Sequence, residues 1–167
     1  MKRFLGLMML AGLAAPCLGQ AADLSKSDLK YMTESAQGLM SELKLGAMAE
    51  QRASDQGVKD FGKQMVADHG KDLQGLQQLA RQKQVKLPDT LNDDQSKEAA
   101  KLEKLSGKDF DREYVKYEVK DHKEDIKEQK ELIKKTRDPE LKQFAGKELE
   151  TVTGHKKTVD AIHARIK

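Results

Sequence analysis

Three eight-residue windows in the chain share one pattern: Val66-Ala67-Asp68-His69-Gly70-Lys71-Asp72-Leu73, Val119-Lys120-Asp121-His122-Lys123-Glu124-Asp125-Ile126 and Val152-Thr153-Gly154-His155-Lys156-Lys157-Thr158-Val159. In each window a valine lies three residues before the histidine, and a branched aliphatic residue lies four residues after it. On an α-helix these three positions share one face. The spacing therefore predicts three helices, each with a histidine on its apolar, core-facing side.

The sequence around these windows predicts four long helices and one long connection. We expect the long helices at about residues 25–53, 58–83, 109–136 and from 139 almost to the C-terminus. A connection of some 25 residues follows the second long helix and carries a short helix at about residues 96–105. Two helical hairpins joined by such a connection indicate an all-α, ferritin-like four-helix bundle with a crossover.

Composition and charge limit the classes of protein to which the chain can belong. Of 167 residues, 35% are charged and 4% are aromatic, and the abundance of good helix formers argues against a sheet protein. The formal net charge is +3, and removal of Lys2 and Arg3 with a leader leaves +1. Because both signs are interspersed, the chain lacks the basic surface of nucleic-acid or anionic-membrane binding proteins, and we expect no nucleic-acid partner.

The N-terminus has the features of a secretory signal peptide. Met1-Lys2-Arg3 is a short basic start, Phe4 to Ala15 is mostly apolar, and Gly19-Gln20-Ala21 is a small-x-small cleavage site. The apolar run of about a dozen residues is shorter than the ~20 that span a bilayer, so we expect no membrane span.

Cleavage near Ala21 defines the expected mature protein. We expect residues 1–21 to be removed and residues 22–167 to form a single domain that is periplasmic or secreted. The alternative is a lipid anchor at Cys17, the only cysteine in the chain. After cleavage near Ala21 no thiol remains, which excludes disulfides and thiol chemistry.

Counting along the predicted helices brings the three histidines to one level of the bundle. His122 and His155 lie at similar distances from the turn between the last two long helices, so at ~1.5 Å rise per residue their heights differ by only ~3 Å. The same count from the first interhelical turn places His69 level with Glu42. We therefore predict a metal site with Glu42, His69, His122 and His155 as ligands. Glu118 is an additional candidate ligand.

The residue types at this level favour a transition metal. Imidazole and carboxylate ligands suit Fe, Cu or Zn, and the set does not choose among them. Asp72 and Asp125, three residues after their histidines, are candidates to orient imidazoles, and Tyr114 is expected beside the layer. Asp68 and Asp121 immediately precede their histidines and are expected on the flank of the helices.

Other interpretations of the histidines remain open at this stage. The layer can be a purely structural polar layer that fixes helix register in a non-enzymatic protein that binds an envelope partner or acts under stress. It can also serve another ligand, a proton-linked role, or a small oxidase that uses a metal and Tyr114. Because no nucleophile with an adjacent base is recognisable, the sequence favours a non-enzymatic protein. No histidine has Glu three residues before it, so we expect no conventional di-iron site.

Several spaced stretches of the chain carry a family resemblance. In chain order they are Glu42-Leu43-Lys44-Leu45-Gly46, Val58-Lys59-Asp60-Phe61, Met65 to His69, Leu105 to Val115, Asp121-His122, and Asp138 to Ala145 followed by Leu149 and His155. Together they resemble a secreted bacterial family known as domain of unknown function 4142, over roughly residues 24–164.

The resemblance implies a ferritin-like helical bundle in a family often described as outer-membrane or periplasmic, and it implies no particular activity. The family's characteristic positions fall here on Glu42, His69, Tyr114, His122 and His155. Glu150 is a departure, because the family usually has proline there, so we expect the last helix to run straighter than in its relatives.

Overall fold

The computed structural model describes residues 24–166, and five helices occupy most of this range. They are α1 (Lys26–Arg52), α2 (Gln56–Gln82), α3 (Asp93–Leu102), α4 (Gly107–Lys135) and α5 (Pro139–Arg165). The α1 and α2 helices pair in one hairpin, α4 and α5 pair in the other, and α3 lies on the crossover against α1 and α4. This confirms the predicted all-α bundle, while the expected signal peptide and Cys17 lie outside the described residues.

Capping side chains explain why two helices begin earlier than the sequence pattern predicts. The Asp55 carboxylate accepts a hydrogen bond from the backbone N–H of Val58, so α2 begins before Val58. At α3, Asn92 and Gln95 form a reciprocal capping box, which starts this helix at Asp93. The predicted range of 96–105 was therefore wrong by one helical turn.

None of the helices within residues 24–166 has the length and apolar character needed to cross a membrane.

The core consists of two apolar clusters with a polar layer between them. One cluster contains Phe61, Met65 and Val159, and the other contains Leu76 and Leu141. In each long helix a buried polar residue separates the positions that belong to the two clusters; these residues are Glu42, His69, His122 and His155. The clusters therefore hold the polar layer at a fixed height in the bundle. Leu29 of α1 belongs to neither cluster and is 39% exposed.

A close helix crossing in the first hairpin depends on two glycines. A Cβ atom at Gly62 would lie 2.7 Å from the backbone oxygen of Gly46 and 2.7 Å from the Cβ of Ala49. A Cβ atom at Gly46 would likewise lie 2.8 Å from the backbone oxygen of Gly62. The α1 and α2 backbones thus approach each other as closely as they do because neither glycine carries a side chain.

Polar contacts at both ends of the bundle connect the two hairpins. At one end, the Asp111 carboxylate of α4 accepts hydrogen bonds from the backbone N–H groups of Ser54 and Asp55 in the α1–α2 turn, each at 3.0 Å. At the other end, Lys83 Nζ lies 2.5 Å from the buried carboxylate of Asp138, which caps α5. These contacts fix the relative height of the hairpins, on which the alignment of the polar layer depends.

A buried hydrogen-bond network joins α1, α4 and α5 beside this layer. The Tyr31 hydroxyl donates to Glu148 Oε2 at 2.6 Å, and Gln129 Nε2 donates to the same oxygen at 3.0 Å. Ser35 lies within 3.4 Å of both carboxylate oxygens. Burial raises the pKa of Glu148 to about 7, against the hydrogen bonds that favour its charged form.

We expect Gly62→Ala to lower the free energy of unfolding by about 1–3 kcal/mol, because the added methyl group must push apart two backbones. Gly146→Ala is the matched control, since a Cβ there meets nothing within 4 Å, and we expect it to stabilise α5 by about 0.5–1 kcal/mol. Urea unfolding followed by circular dichroism measures both. Equal effects of the two substitutions would contradict the close crossing.

The Glu148 network predicts a stability that depends on pH. The pKa of Glu148 is about 7 in the folded state and 4.5 in an ordinary environment, so the folded state binds this proton more tightly. Glu148 therefore contributes on the order of 3 kcal/mol to the free energy of unfolding below pH 4.5. This contribution is lost as the pH rises through 7.

The isosteric variant Glu148→Gln removes this titrating group and keeps a hydrogen-bonding side chain. We expect urea unfolding at pH 4.5 and 7.5, in the presence of a chelator, to show a smaller loss of stability with pH in the variant than in the parent. Identical pH dependence in the two proteins would show that Glu148 does not titrate in this range.

Candidate metal centre

Three histidines from three helices converge in the polar layer. His69 lies on α2, His122 on α4 and His155 on α5, and each is at most 1% exposed. One ring nitrogen from each residue lies within 4.8 Å of the other two. The ring centroids are 5.0 to 6.1 Å apart. The structure thus brings together the three histidines that the repeated window places on the buried helix faces.

Hydrogen bonds from the outer nitrogens orient two of the rings. His122 Nδ1 lies 3.0 Å from the backbone oxygen of Glu118 and 3.3 Å from its carboxylate. His155 Nε2 donates to the Asp68 carboxylate at 3.1 Å. Both acceptors require N–H on the outer nitrogen, so His122 Nε2 and His155 Nδ1 are left as the inner nitrogens. Neither inner nitrogen has a hydrogen-bond partner among residues 24–166.

His69 has a different environment from the other two rings. Neither of its nitrogens has a hydrogen-bond partner in the described part of the chain, and its Nδ1 lies 3.8 Å from Asp72 Oδ2, beyond hydrogen-bonding distance. Burial and the nearby His155 and His122 rings lower the pKa of His69 to about 3. His69 is therefore neutral at physiological pH, which is the form of imidazole that binds a metal.

The other two rings have pKa values shifted in opposite directions. Burial lowers the pKa of His155, against the opposing effect of the Asp68 hydrogen bond. At His122, burial also acts to lower the pKa, but the hydrogen bond and charge of Glu118 outweigh it and raise the pKa above the ordinary value of 6.5. Protonation of His122 therefore competes with metal binding more strongly than at an ordinary histidine, which makes metal affinity dependent on pH.

The predicted carboxylate residues lie beside the histidines without joining the group of converging nitrogens. Both Glu42 oxygens are buried and have no hydrogen-bond partner within residues 24–166. Burial raises the pKa of Glu42 well above its ordinary value, and the carboxylates of Glu118 and Asp121 raise it further. The Asp125 carboxylate has a raised pKa for the same reasons, burial first and then Asp121. Glu42 therefore faces a group of α4 carboxylates next to the histidines.

Aromatic rings close the opposite side of the centre. The Phe61 ring centroid lies 6.1 Å from that of His122 and 6.0 Å from that of His155. Tyr114 packs against Phe61 at 6.2 Å and stacks on Phe110 at 5.5 Å. Tyr114 lies near Glu118 and Glu42, and burial, followed by the charges of these two residues, raises its pKa well above the ordinary value. Its hydroxyl has no hydrogen-bond partner in the described residues.

Asp68 has a position in the site that helical spacing predicts incorrectly. It was expected on the flank of α2, yet its carboxylate reaches across to His155 on α5. The partner lies on another helix, so the contact depends on how the two hairpins dock and has no signal in helical spacing alone. Tyr31, Gln129 and Glu148 were missed for the same reason, since each lies on a different helix.

The donor set fits a transition-metal ion. A metal–nitrogen distance of about 2.0–2.1 Å in a tetrahedral site requires nitrogens roughly 3.3 Å apart. The present separations of up to 4.8 Å are therefore within reach of small rotations of the rings. Inner nitrogens with outer hydrogen bonds to oxygen are the usual arrangement of metal-bound histidine.

Known structures of two helical proteins share this fold. A crystal structure of a DUF305 fragment from Deinococcus radiodurans superimposes with a TM-score of 0.74 at 13% identity, covering 84% of this chain and 97% of that one. A structure described as CopM in the Cu(II)-bound form superimposes with a TM-score of 0.71 at 14% identity, with the same two coverages. At these identities the similarity shows the fold alone.

Sequence comparison identifies the family. No protein with a curated description matches the chain. The family model described as "Domain of unknown function (DUF4142)" matches residues 14–162, which is most of the sequence. The chain therefore belongs to the DUF4142 family.

Proposed function

We propose that this protein binds one transition-metal ion through His69, His122 and His155. The observation that carries the proposal is the convergence of three buried imidazoles, with one ring nitrogen of each within 4.8 Å of the other two. Each of the three rings also has at least one nitrogen without a hydrogen-bond partner in the described range. In their neutral form the imidazoles supply strong ligands without adding charge, and the outer contacts of His122 and His155 orient two of the rings.

The energetics of burial favour this proposal over a purely structural layer. A buried polar group without a hydrogen bond costs roughly 1–3 kcal/mol, so a structural layer is expected to satisfy its nitrogens internally. Here His69 has no hydrogen-bond partner on either nitrogen among residues 24–166. A bound metal would satisfy one nitrogen of each ring at once.

Copper(II) and zinc(II) are the ions that we propose to test first. Imidazole ligands suit both, and iron(II) binds such sites more weakly than copper(II) does. The Cu(II)-bound form of CopM, which shares the fold, supports copper as the first choice. The signal peptide predicted at residues 1–21 would place this binding outside the cytoplasm.

The test is metal binding by the purified, untagged protein and by a His69→Ala/His122→Ala/His155→Ala variant. We expect about one equivalent of Cu(II) or Zn(II) in the parent by calorimetric titration and elemental analysis, and no bound equivalent in the triple variant. His163→Ala is the matched control, because His163 lies on α5 outside the group of converging nitrogens. This control is expected to bind like the parent.

Two results would contradict the proposal. The first is a parent that takes up none of Cu(II), Zn(II) and Fe(II). The second is equal binding by the parent and the triple variant, which would place the ion elsewhere. In the first case the histidine layer is structural, and a His→Leu triple variant would retain or gain stability.

A further inference from the structure

An acidic groove runs along the face of the bundle formed by α1, α3 and α4. It has a volume of about 650 Å³, and nine of its sixteen lining residues are acidic while three are lysines. Two of those lysines form ion pairs inside the groove, Lys101 with Glu98 and Glu113, and Lys120 with Glu124. Two more of the carboxylates pair with lysines outside the lining, Glu34 with Lys30 and Asp94 with Lys97. The other four have no ion pair within residues 24–166, so the groove attracts cations; they are Glu42, Asp121, Asp125 and Glu128.

The groove continues inward to the histidine centre. A small cavity of about 40 Å³ is lined by His69 and shares five lining residues with the groove: Glu34, Gly38, Glu42, Asp125 and Glu128. Glu34 and Glu128 are exposed, whereas Glu42 is 3% exposed. Four of the five shared residues are acidic, and they extend from exposed positions to the cavity that His69 lines.

Glu42 lies at the inner end of these shared residues, and no contact within residues 24–166 explains its burial. Both of its oxygens are buried, and neither has a hydrogen-bond partner in residues 24–166, although the residue lines both the groove and the cavity. A buried carboxyl group without a hydrogen-bond partner is costly, and a cation bound beside it would satisfy its oxygens and favour the charged form. Its position next to His69 and Asp125 suits brief binding of a cation by oxygen ligands.

We propose that the acidic groove is the access path for the metal, and that Glu42 and Asp125 form a transit site that passes a hydrated divalent transition-metal cation to His69. This inference rests on the proposed metal binding. Carboxylates hold such an ion less firmly than imidazoles do, so the ion moves on to the histidines. On the Phe61 side, an aromatic ring packs against His122 and His155.

The experiment measures the rate of metal binding in the full chain. Stopped-flow mixing with Cu(II), and in a second series with Co(II), follows the quenching of tyrosine fluorescence, which is available because the chain has three tyrosines and no tryptophan. The inner variant is Glu42→Gln, and the outer variant is Glu34→Gln/Glu128→Gln. The control Glu150→Gln/Asp89→Asn removes two exposed carboxylates that line neither the groove nor the cavity.

We expect each path variant to lower the association rate on the order of tenfold at low ionic strength, and the control to leave it unchanged. A carboxylate on the path lowers the barrier for the metal ion both to enter and to leave the site. Its removal should therefore lower the dissociation rate by a similar factor, and the Kd should stay within about twofold of the parent value. The association rate of the parent should also fall as salt is added, and less steeply in the outer variant. The outer variant changes only exposed residues, so it tests the path even if Glu42→Gln disturbs folding.

Three outcomes would overturn the inference. Path variants that load at the parent rate would show that the ion enters elsewhere. A Glu42→Gln variant with a faster dissociation rate and a weaker Kd would make Glu42 a permanent ligand, as the sequence analysis predicts. A parent that binds neither Cu(II) nor Co(II) here, and takes up neither Zn(II) nor Fe(II) in the titration, refutes the proposed metal binding itself, and the path with it.

Discussion

The burial of three imidazoles at one level of a helical bundle is the constraint on which the rest of this structure depends. Imidazole nitrogens removed from water need partners, and the described residues supply them only on the outer sides of His122 and His155. Apolar clusters above and below exclude water from the layer and fix its height. The bundle therefore presents converging lone pairs in a dry site, where the attraction between a cation and its ligands is strong.

Helical geometry predicts from the sequence only the part of this layer that lies within one hairpin. His122 and His155 lie in one hairpin, and counting residues from a single turn was enough to place them together. His69 lies in the other hairpin, so its position depends on docking that the apolar clusters and the contacts of Asp111 and Lys83 fix. The glycine crossing at Gly46 and Gly62 adds a constraint on helix spacing that no apolar periodicity encodes.

The unpredicted contacts share one physical cause. Helical spacing tells which residues share a face, but it does not tell which residue of another helix each one meets. Asp68 was therefore assigned to a flank although it orients His155, and the packing of Phe61 against His122 and His155 was not predicted. Counting residues along α1 predicted the level of Glu42 in the bundle. It could not predict which residues Glu42 would face, because that depends on the rotation of α1 about its axis, and the neighbours are carboxylates of α4.

The two sides of the histidine layer differ in chemistry, and this difference has a functional meaning. Toward the α1–α2 turn, Phe61 and the ring stack behind it make a side that neither water nor an ion can cross at low cost. Toward α1 and α4, carboxylates line the approach and become progressively more buried up to Glu42. A cation that follows this gradient exchanges water first for oxygen ligands and then for imidazole nitrogens. Each step replaces part of its hydration before the next part is lost, so the barrier to entering a dry site is divided into smaller ones.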